Sequence, residues 1–296
     1  MMPTVSVIIN CFDGEAFLRQ AIESVMAQTF TNWEIIFWDN QSTDRSAEII
    51  KKYKDPRIHY YYSPTHTMLY EARNYAVEMA KGEFLAFLDV DDWWLPNKLE
   101  CQVKLFMNPK VALVYGNYWI RHEQKGNCRL AYRKVLPAGE ILGKLLHSYS
   151  VGLLTLMLRR SMLPSSKSPF DSRYHIIGDF DLVLRLAANY QVACTQEPVA
   201  VYRIHQNNES ILNRGKQVEE LERWVDEMSR TPDIGENKNF PLIPTRIEYI
   251  KSIGLLLEDK RKDAFYIMNE MSWSIPRLRV LLAIFLPVWL IRRIKN

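Results

Sequence analysis

Lys81-Gly-Glu-Phe-Leu-Ala-Phe-Leu-Asp-Val-Asp-Asp92 holds five consecutive apolar residues, Phe84 to Leu88, followed at once by three carboxylates in four positions. An apolar run that short, apolar at every position, reads as a strand covered on both faces. Upstream, Val5-Ser-Val-Ile-Ile9, Glu34-Ile-Ile-Phe-Trp38 and Ile58-His-Tyr-Tyr-Tyr62 read the same way. Between them Phe17, Leu18, Ala21, Ile22, Val25 and Met26 recur at helical spacing, and Ala47, Ile50 and Tyr53 follow Asp44, a plausible N-cap. Tyr70 to Ala80 reads as a third helix. Strands alternate with helices roughly every 25 residues, the rhythm of an α/β fold with a mostly parallel central sheet and flanking helices. Right-handed crossovers bring the C-terminal ends of such strands to one edge, where open α/β sheets bind ligands. Asp13, Asp39 and the Asp89–Asp92 cluster each follow a strand, so three acidic loops are expected to converge there.

Downstream the rhythm weakens. Leu153 to Leu158 and Val192 to Arg203 read as strands, and Asp179 to Asn189 as a helix. Asn213 to Arg230 and Pro244 to Met271 read as surface helices on either side of a linker, Pro232 to Pro241. The expected organisation is a doubly wound, nucleotide-type half over 1–118, a second half of the same domain over 119–212, a helical C-terminal extension over 213–275 and a basic amphipathic tail over 276–296. No internal repeat or low-complexity segment interrupts it.

The 296 residues are 48% hydrophobic and 24% charged, ordinary for a globular protein, which disfavours disorder and coiled coil. The net charge of +4 belongs to the tail: Arg277, Arg279, Arg292, Arg293 and Lys295 face no carboxylate after Pro276. The remaining 33 basic residues meet 34 acidic ones, so nucleic acid is not an expected partner. Cys11, Cys101, Cys128 and Cys194 show no paired spacing, which speaks against structural zinc and for a reducing compartment. The N-terminus enters a strand pattern without a basic segment and apolar stretch, so a cytoplasmic location is expected. The apolar run Val280 to Ile291 is shorter than the ~20 residues a bilayer span needs, and Pro287 kinks it. With its flanking cations and Trp289 it suits the inner membrane surface; a terminal helix packed on the protein is the other reading.

Neither a GxGxxG after the first strand nor a GxxxxGK[ST] occurs. A nucleotide diphosphate held without such backbone amides needs another positive charge, and a divalent cation gripped by strand-end carboxylates supplies it. In an extended segment Asp89 and Asp91 point to one side, and hard oxygen donors suit Mn2+ or Mg2+. The same cluster also reads as a turn or N-cap before Trp93-Trp94-Leu95-Pro96.

Six stretches together carry a specific resemblance. Val5-Ser-Val-Ile-Ile-Asn-Cys-Phe-Asp13, Asp39-Asn-Gln-Ser-Thr-Asp44, Glu71-Ala-Arg-Asn-Tyr-Ala76, Lys81 to Asp92, Gly178-Asp-Phe-Asp-Leu-Val-Leu-Arg185 and Val201-Tyr-Arg-Ile-His205 stand in the order seen in family 2 glycosyltransferases. The chain resembles that family over roughly Thr4 to Ser210, which implies the GT-A, Rossmann-like fold, inverting chemistry and a place in cell-surface polysaccharide synthesis. The resemblance implies that Asp39 binds a pyrimidine base, as in a UDP- or dTDP-sugar, with Phe12 and Asp13 beside it. It implies too that Arg73 lies by the nucleotide and diphosphate, that Asp89 and Asp91 form the DxD motif with Asp92 adjacent, and that His205 either completes the metal shell or touches the diphosphate. Asp179 matches the general base. The family often carries Glu before that base, where this chain has Gly178, and Asp181 is a neighbouring carboxylate that could substitute. Trp93 and Trp94 either wall the sugar site or pack in the core.

The implied partners are a nucleotide-diphosphate sugar, a glycan or lipid-linked glycan acceptor and, through the tail, a membrane surface. Two alternatives stand beside this reading: a polyprenyl-phosphate sugar transferase, whose anionic acceptor needs no proton acceptor, and a non-catalytic sugar-nucleotide-binding subunit.

Overall fold

Four parallel strands build the frame: β1 (Val5–Cys11), then α1 (Leu18–Met26), β2 (Trp33–Asp39), α2 (Ser46–Lys51), β3 (Ile58–Tyr62), α3 (Leu69–Met79) and β4 (Phe84–Phe87). β1 lies between β2 and β4, with Val5 opposite Trp33 and Phe84, and β3 pairs outside β2. For β1, β2 and β4 the continuous apolar reading has its cause here, since both faces are covered; β3, at the end of the sheet, is only half-buried, against the expectation. Val5, Val7, Ile9 and Cys11 share a core with Leu18, Ala21, Ile22 and Val25 of α1, while α3 lies against the other face of β1 and β2. The N-cap of α2 is Arg45 and not Asp44; Asp44 stands one residue earlier, where its Oδ1 accepts from the Ser46 amide at 2.9 Å and its Oδ2 from the Glu15 amide at 2.8 Å. At the N-terminal edge of the strands, buried Glu34 accepts from Ser6 Oγ at 2.6 Å and from the Lys81 amide at 2.7 Å, tying β1, β2 and the entry to β4 together.

The chain continues through β5 (Trp93–Trp94), α4 (Lys98–Leu105), β6 (Val111–His122), β7 (Cys128–Leu130), α5 (Leu142–His147), β8 (Met157–Arg159), α6 (Gly178–Asn189) and β9 (Gln191–Ile204). The sheet order is β3-β2-β1-β4-β8-β6-β9-β5, with β7 on β6. β8 is antiparallel to both β4 and β6, and β9 is parallel to β6. Those two reversals leave β9 running in the direction of β1 and β4, so its C-terminal end reaches the edge where the acidic loops emerge. α3 and α6 each precede a strand of that direction, which places their N-termini at the same edge.

The structure describes residues 2–165, 167–206 and 208–295 of this computed structural model. Two units separate: Met1–Leu142 with Tyr149–Gln206, and Gly143–Ser148 with Asn207–Asn296. The second is helical, with α7 (Glu209–Leu212), α8 (Arg214–Met228), α9 (Pro232–Gly235), α10 (Leu242–Leu257), α11 (Arg261–Glu270), α12 (Ile275–Ile284) and α13 (Val288–Lys295). Ile253, Leu256, Ala264, Met268, Val280, Ala283 and Ile291 form its own core. Among the described residues no helix is long and apolar enough to cross a membrane.

Two element expectations are corrected. Leu153 to Leu158 is not one strand: Leu153–Thr155 make a 3-10 turn, closed by Thr155 Oγ1 donating to the Gly152 carbonyl at 2.7 Å, before β8 begins. Pro244 to Met271 is not one helix either. Asp259 turns left-handed at φ +60°, and the Lys260 amide closes back on the Leu255 carbonyl at 2.9 Å, a Schellman ending with aspartate where glycine is usual.

Candidate active site

The loop after β1 and the loop after β2 are locked to each other. Asp13, at φ +50°, accepts from the Thr43 amide at 2.6 Å and the Asp44 amide at 3.3 Å, and its own amide donates to Ser42 Oγ at 3.2 Å. Asp39 ends β2 fully buried; its Oδ1 accepts from the Ser42 amide at 2.7 Å and its Oδ2 from Tyr60 OH at 2.8 Å. Burial and this carboxylate push the Tyr60 phenol above its ordinary range. Phe12 stands 52% exposed above them, edge-on to His66 with ring centroids 4.5 Å apart. An exposed aromatic ring next to a rigid, acidic strand end is suited to stacking a flat heterocycle.

The loop after β4 carries Asp89, Asp91 and Asp92, and each meets a different element. Arg73, 3% exposed on α3, donates from Nη2 to Asp89 Oδ1 at 2.5 Å. Burial works against its charge, and Asp89, Tyr70 and Asp179 together more than offset that, holding the guanidinium above its ordinary range. His205, just past β9, has Nε2 at 2.9 Å from Asp91 Oδ2, although 114 residues separate the two. The strand directions account for the meeting. Burial, and then the charge of Asp89, raise the Asp91 carboxyl. Asp92 turns inward instead: it is 2% exposed, and its Oδ1 accepts from the Arg203 amide of β9 at 2.8 Å. It latches the loop to β9 rather than joining the Asp91–His205 pair.

Asp179 opens the first turn of α6 and accepts from Tyr70 OH of α3 at 2.8 Å. Burial raises its carboxyl, while the Tyr70 hydroxyl and the Arg73 charge pull the other way. The four residues therefore form a chain, Asp179–Tyr70–Arg73–Asp89, with the guanidinium 4.9 Å from the Tyr70 ring centroid. Asp181 is held by Arg185 one turn along, Nη2 to Oδ2 at 2.6 Å. Trp94 is core, 2% exposed, with Nε1 donating to the Leu154 carbonyl at 2.8 Å; its place as a wall of the sugar site is corrected. Trp93 is half-buried beside the Arg203 guanidinium, 4.6 Å from its ring centroid.

Sequence reasoning missed two residues here. Arg203 is buried between the rings of Phe17 and Trp93 and donates to the Asp91 carbonyl at 2.8 Å, Glu123 at 2.6 Å and Gln20 at 2.5 Å. It holds the backbone of the acidic loop. Tyr70 was legible only as a helix residue, because its partner lies 109 residues away.

Among the described residues no three Asp, Glu, His or Cys side chains surround a common point. The donor set still fits a divalent cation shared with a ligand. Asp91 and His205 offer oxygen and nitrogen in contact, and the carboxyls of Asp91 and Asp92 are raised by burial and crowded acidic neighbours, a charge excess that a cation relieves. Mg2+ in particular is commonly held by one or two carboxylates plus substrate phosphates.

Comparisons with known proteins agree with this layout. The model of "Glycosyl transferase family 2" matches residues 6–167. The chain is 34% identical over 166 residues to WfgD of Escherichia coli, named a UDP-Glc:alpha-D-GlcNAc-diphosphoundecaprenol beta-1,3-glucosyltransferase; the match covers 56% of this chain and 64% of that one, under two-thirds of the relative's length. Among solved structures, S. aureus TarS with UDP-GlcNAc superposes at TM-score 0.63 and 15% identity, covering 83% of this chain and 70% of that one. The mannosyltransferase PcManGT of Pyrobaculum calidifontis, with GDP-Man and Mn2+, superposes at 0.65 and 14%, covering 95% and 79%. At such identities these two structures speak for the fold alone: a mixed α/β, GT-A-type architecture. With more than half its length matched by the family model and the strand-end acidic loops in place, the chain belongs to glycosyltransferase family 2.

Proposed function

We propose that the protein is an inverting, metal-dependent glycosyltransferase that moves a sugar from a UDP-sugar to a lipid-linked glycan in cell-surface polysaccharide synthesis. The observation that carries this is the chain Asp179–Tyr70–Arg73–Asp89, which sets a carboxylate with a raised pKa one aromatic ring away from a cation-and-carboxylate cluster. Inverting transfer needs both, on opposite sides of one sugar. Phe12 and Asp39 take the base, Arg73 and Asp89 the ribose and diphosphate, and Asp91 with His205 would hold Mn2+ or Mg2+. When bound, the cation neutralises charge on the departing diphosphate. Asp179 takes the proton from the acceptor hydroxyl as that oxygen attacks the anomeric carbon and the bond to the nucleotide breaks on the other face; such a base contributes ~10²–10⁴-fold. Asp181, tied to Arg185, has no such role. UDP and the lipid diphosphate acceptor are suggested by the activity for which WfgD is named.

Membrane contact is proposed through the helical unit. Leu278, Leu282, Phe285 and Trp289 lie exposed at helical spacing along α12 and α13, while Val280 and Ala283 face inward. The tail therefore packs on its own unit with one side and offers an apolar stripe on the other, suited to an interfacial position.

Purified protein with UDP-glucose, GlcNAc-diphosphoundecaprenol and Mn2+ tests the reading. Transfer with inverted anomeric configuration is expected, lost on chelation. Transfer that persists in Asp179→Asn removes Asp179 from the mechanism and favours the polyprenyl-phosphate type of acceptor.

A further inference from the structure

The side chain of Asp179 is oriented from a different helix. Tyr70 OH donates to its Oδ1 at 2.8 Å and also lies 3.3 Å from the Ile176 carbonyl. The Tyr70 ring reaches that point by lying against Gly178: a Cβ built there would stand 2.6 Å from both Cγ and Cδ2 of the ring. Carbon atoms do not approach so closely without something moving, and the ring is in no position to give. It is buried, tilted against Phe170 with centroids 5.2 Å apart, and backed by the Arg73 guanidinium. Glycine at 178 and tyrosine at 70 are two halves of one fitting.

We infer that Tyr70 is the positioning residue of Asp179, and that Gly178 is what admits it. The hydroxyl fixes the plane of the carboxylate and favours its ionised form against burial. Through Arg73, one turn along α3, the same ring also links the orientation of the proton acceptor to the Asp89 side of the site. The charged and titratable groups around Asp179 are Tyr70 and Arg73 from α3, Asp89 from the acidic loop, Tyr149 from the segment before β8, and the Asp181–Arg185 pair on α6 itself. Of these, Tyr70 donates the side-chain hydrogen bond. The inference rests on Asp179 being the proton acceptor proposed above.

The test uses the full chain and five variants: Tyr70→Phe, Gly178→Ala, Tyr70→Ala, the Tyr70→Ala/Gly178→Ala pair and Asp179→Asn. With UDP-glucose, GlcNAc-diphosphoundecaprenol and Mn2+, Tyr70→Phe is expected to lower kcat about tenfold, the worth of one hydrogen bond to a charged group. KM for UDP-glucose should hold, and the acidic limb of the rate profile should move to higher pH. The sign follows because a bond to the ionised carboxylate is lost, so its pKa rises. Carboxyl 13C titration of Asp179, assigned with Asp179→Asn, reads the same upward shift without any substrate. Gly178→Ala should melt lower than the parent, yet add nothing to Tyr70→Ala, since the collision is gone. An unshifted Asp179 titration in Tyr70→Phe, or a Gly178→Ala protein as stable as the parent, overturns the inference. Asp179→Asn separates the two failures: if it keeps turnover the proposed base is wrong, whereas if it is dead while Tyr70→Phe behaves as the parent, only the positioning role falls.

Discussion

Replacing Arg203 by methionine should unfasten the acidic loop. The guanidinium is 5% exposed and sits between two rings, 4.4 Å from the Phe17 centroid and 4.6 Å from Trp93. Its bond to the Asp91 carbonyl is buried, and a hydrogen bond from a charged donor is worth about 1.5 kcal/mol or more. The Glu123 partner is 41% exposed, so water replaces the guanidinium there and the pair counts for under about 1 kcal/mol. The two ring contacts add roughly 0.5–1 kcal/mol each. Methionine fills part of the slot and relieves the cost of burying a charge, which leaves a net loss of about 3 kcal/mol. At roughly 2–4 °C per kcal/mol for a unit of this size, melting should fall by about 6–12 °C. Circular dichroism across temperature reads it. The Mn2+ concentration for half-maximal UDP-glucose turnover should rise as well, because the Asp91 backbone is no longer held, and Arg203→Lys should fall between, keeping charge but losing the fork. A methionine variant that melts within about 2 °C of the parent and needs no more Mn2+ would show that the loop stands without this residue.

Four further outcomes can be checked. Asp179→Asn should abolish transfer while UDP still binds by calorimetry; loss of UDP binding would mean a structural defect instead. Because burial raises the Asp179 carboxyl and only its ionised form accepts a proton, turnover in the parent should fall off on the acid side above the ordinary carboxylate range; a flat rate down to pH 4 speaks against it. Asp92 is raised well above its ordinary value by burial and then by Asp91 and Asp89, so the folded state is penalised as pH climbs through the normal aspartate range. Asp92→Asn, which keeps an acceptor for the Arg203 amide, should therefore raise the melting temperature at pH 7 and leave it unchanged at pH 3. Leu282→Ser/Phe285→Ser, or a chain ending near Ser274, should lose flotation with anionic liposomes, and undiminished flotation would remove the tail as the anchor.

The parallel frame was legible because its physics is local. Strands apolar at every or nearly every position, such as Phe84 to Leu88 and, with Ser6 as its one polar residue, Val5 to Ile9, read as covered on both faces, and the carboxylates after them then share an edge. β6 was not legible: Val111 to Tyr115 is apolar, but the strand runs on through Asn117, Arg121 and His122, and its register with β9 shifts on either side of Asn117. The break at Asp259 escaped because aspartate stands where glycine announces a helix end. In the site, Asp89, Asp91, Asp39 and Asp179 were legible by type and position. The inward turn of Asp92, the burial of Trp94 and the hub at Arg203 depend on contacts across more than 50 residues, which no local spacing encodes.

The direction of β9 also bears on how the protein can be cut. A fragment ending at residue 167, where the family match stops, would keep the parallel frame and all three strand-end aspartate loops. It would lack Asp179, Arg203 and His205, and with them the bonds that the Asp91 carbonyl and the Asp92 carboxylate accept from Arg203. During synthesis the same holds in time: Arg73 is available to Asp89 early, but more than 200 residues must emerge before Arg203 and His205 can reach Asp91, so the acidic loop is fastened on its second side last.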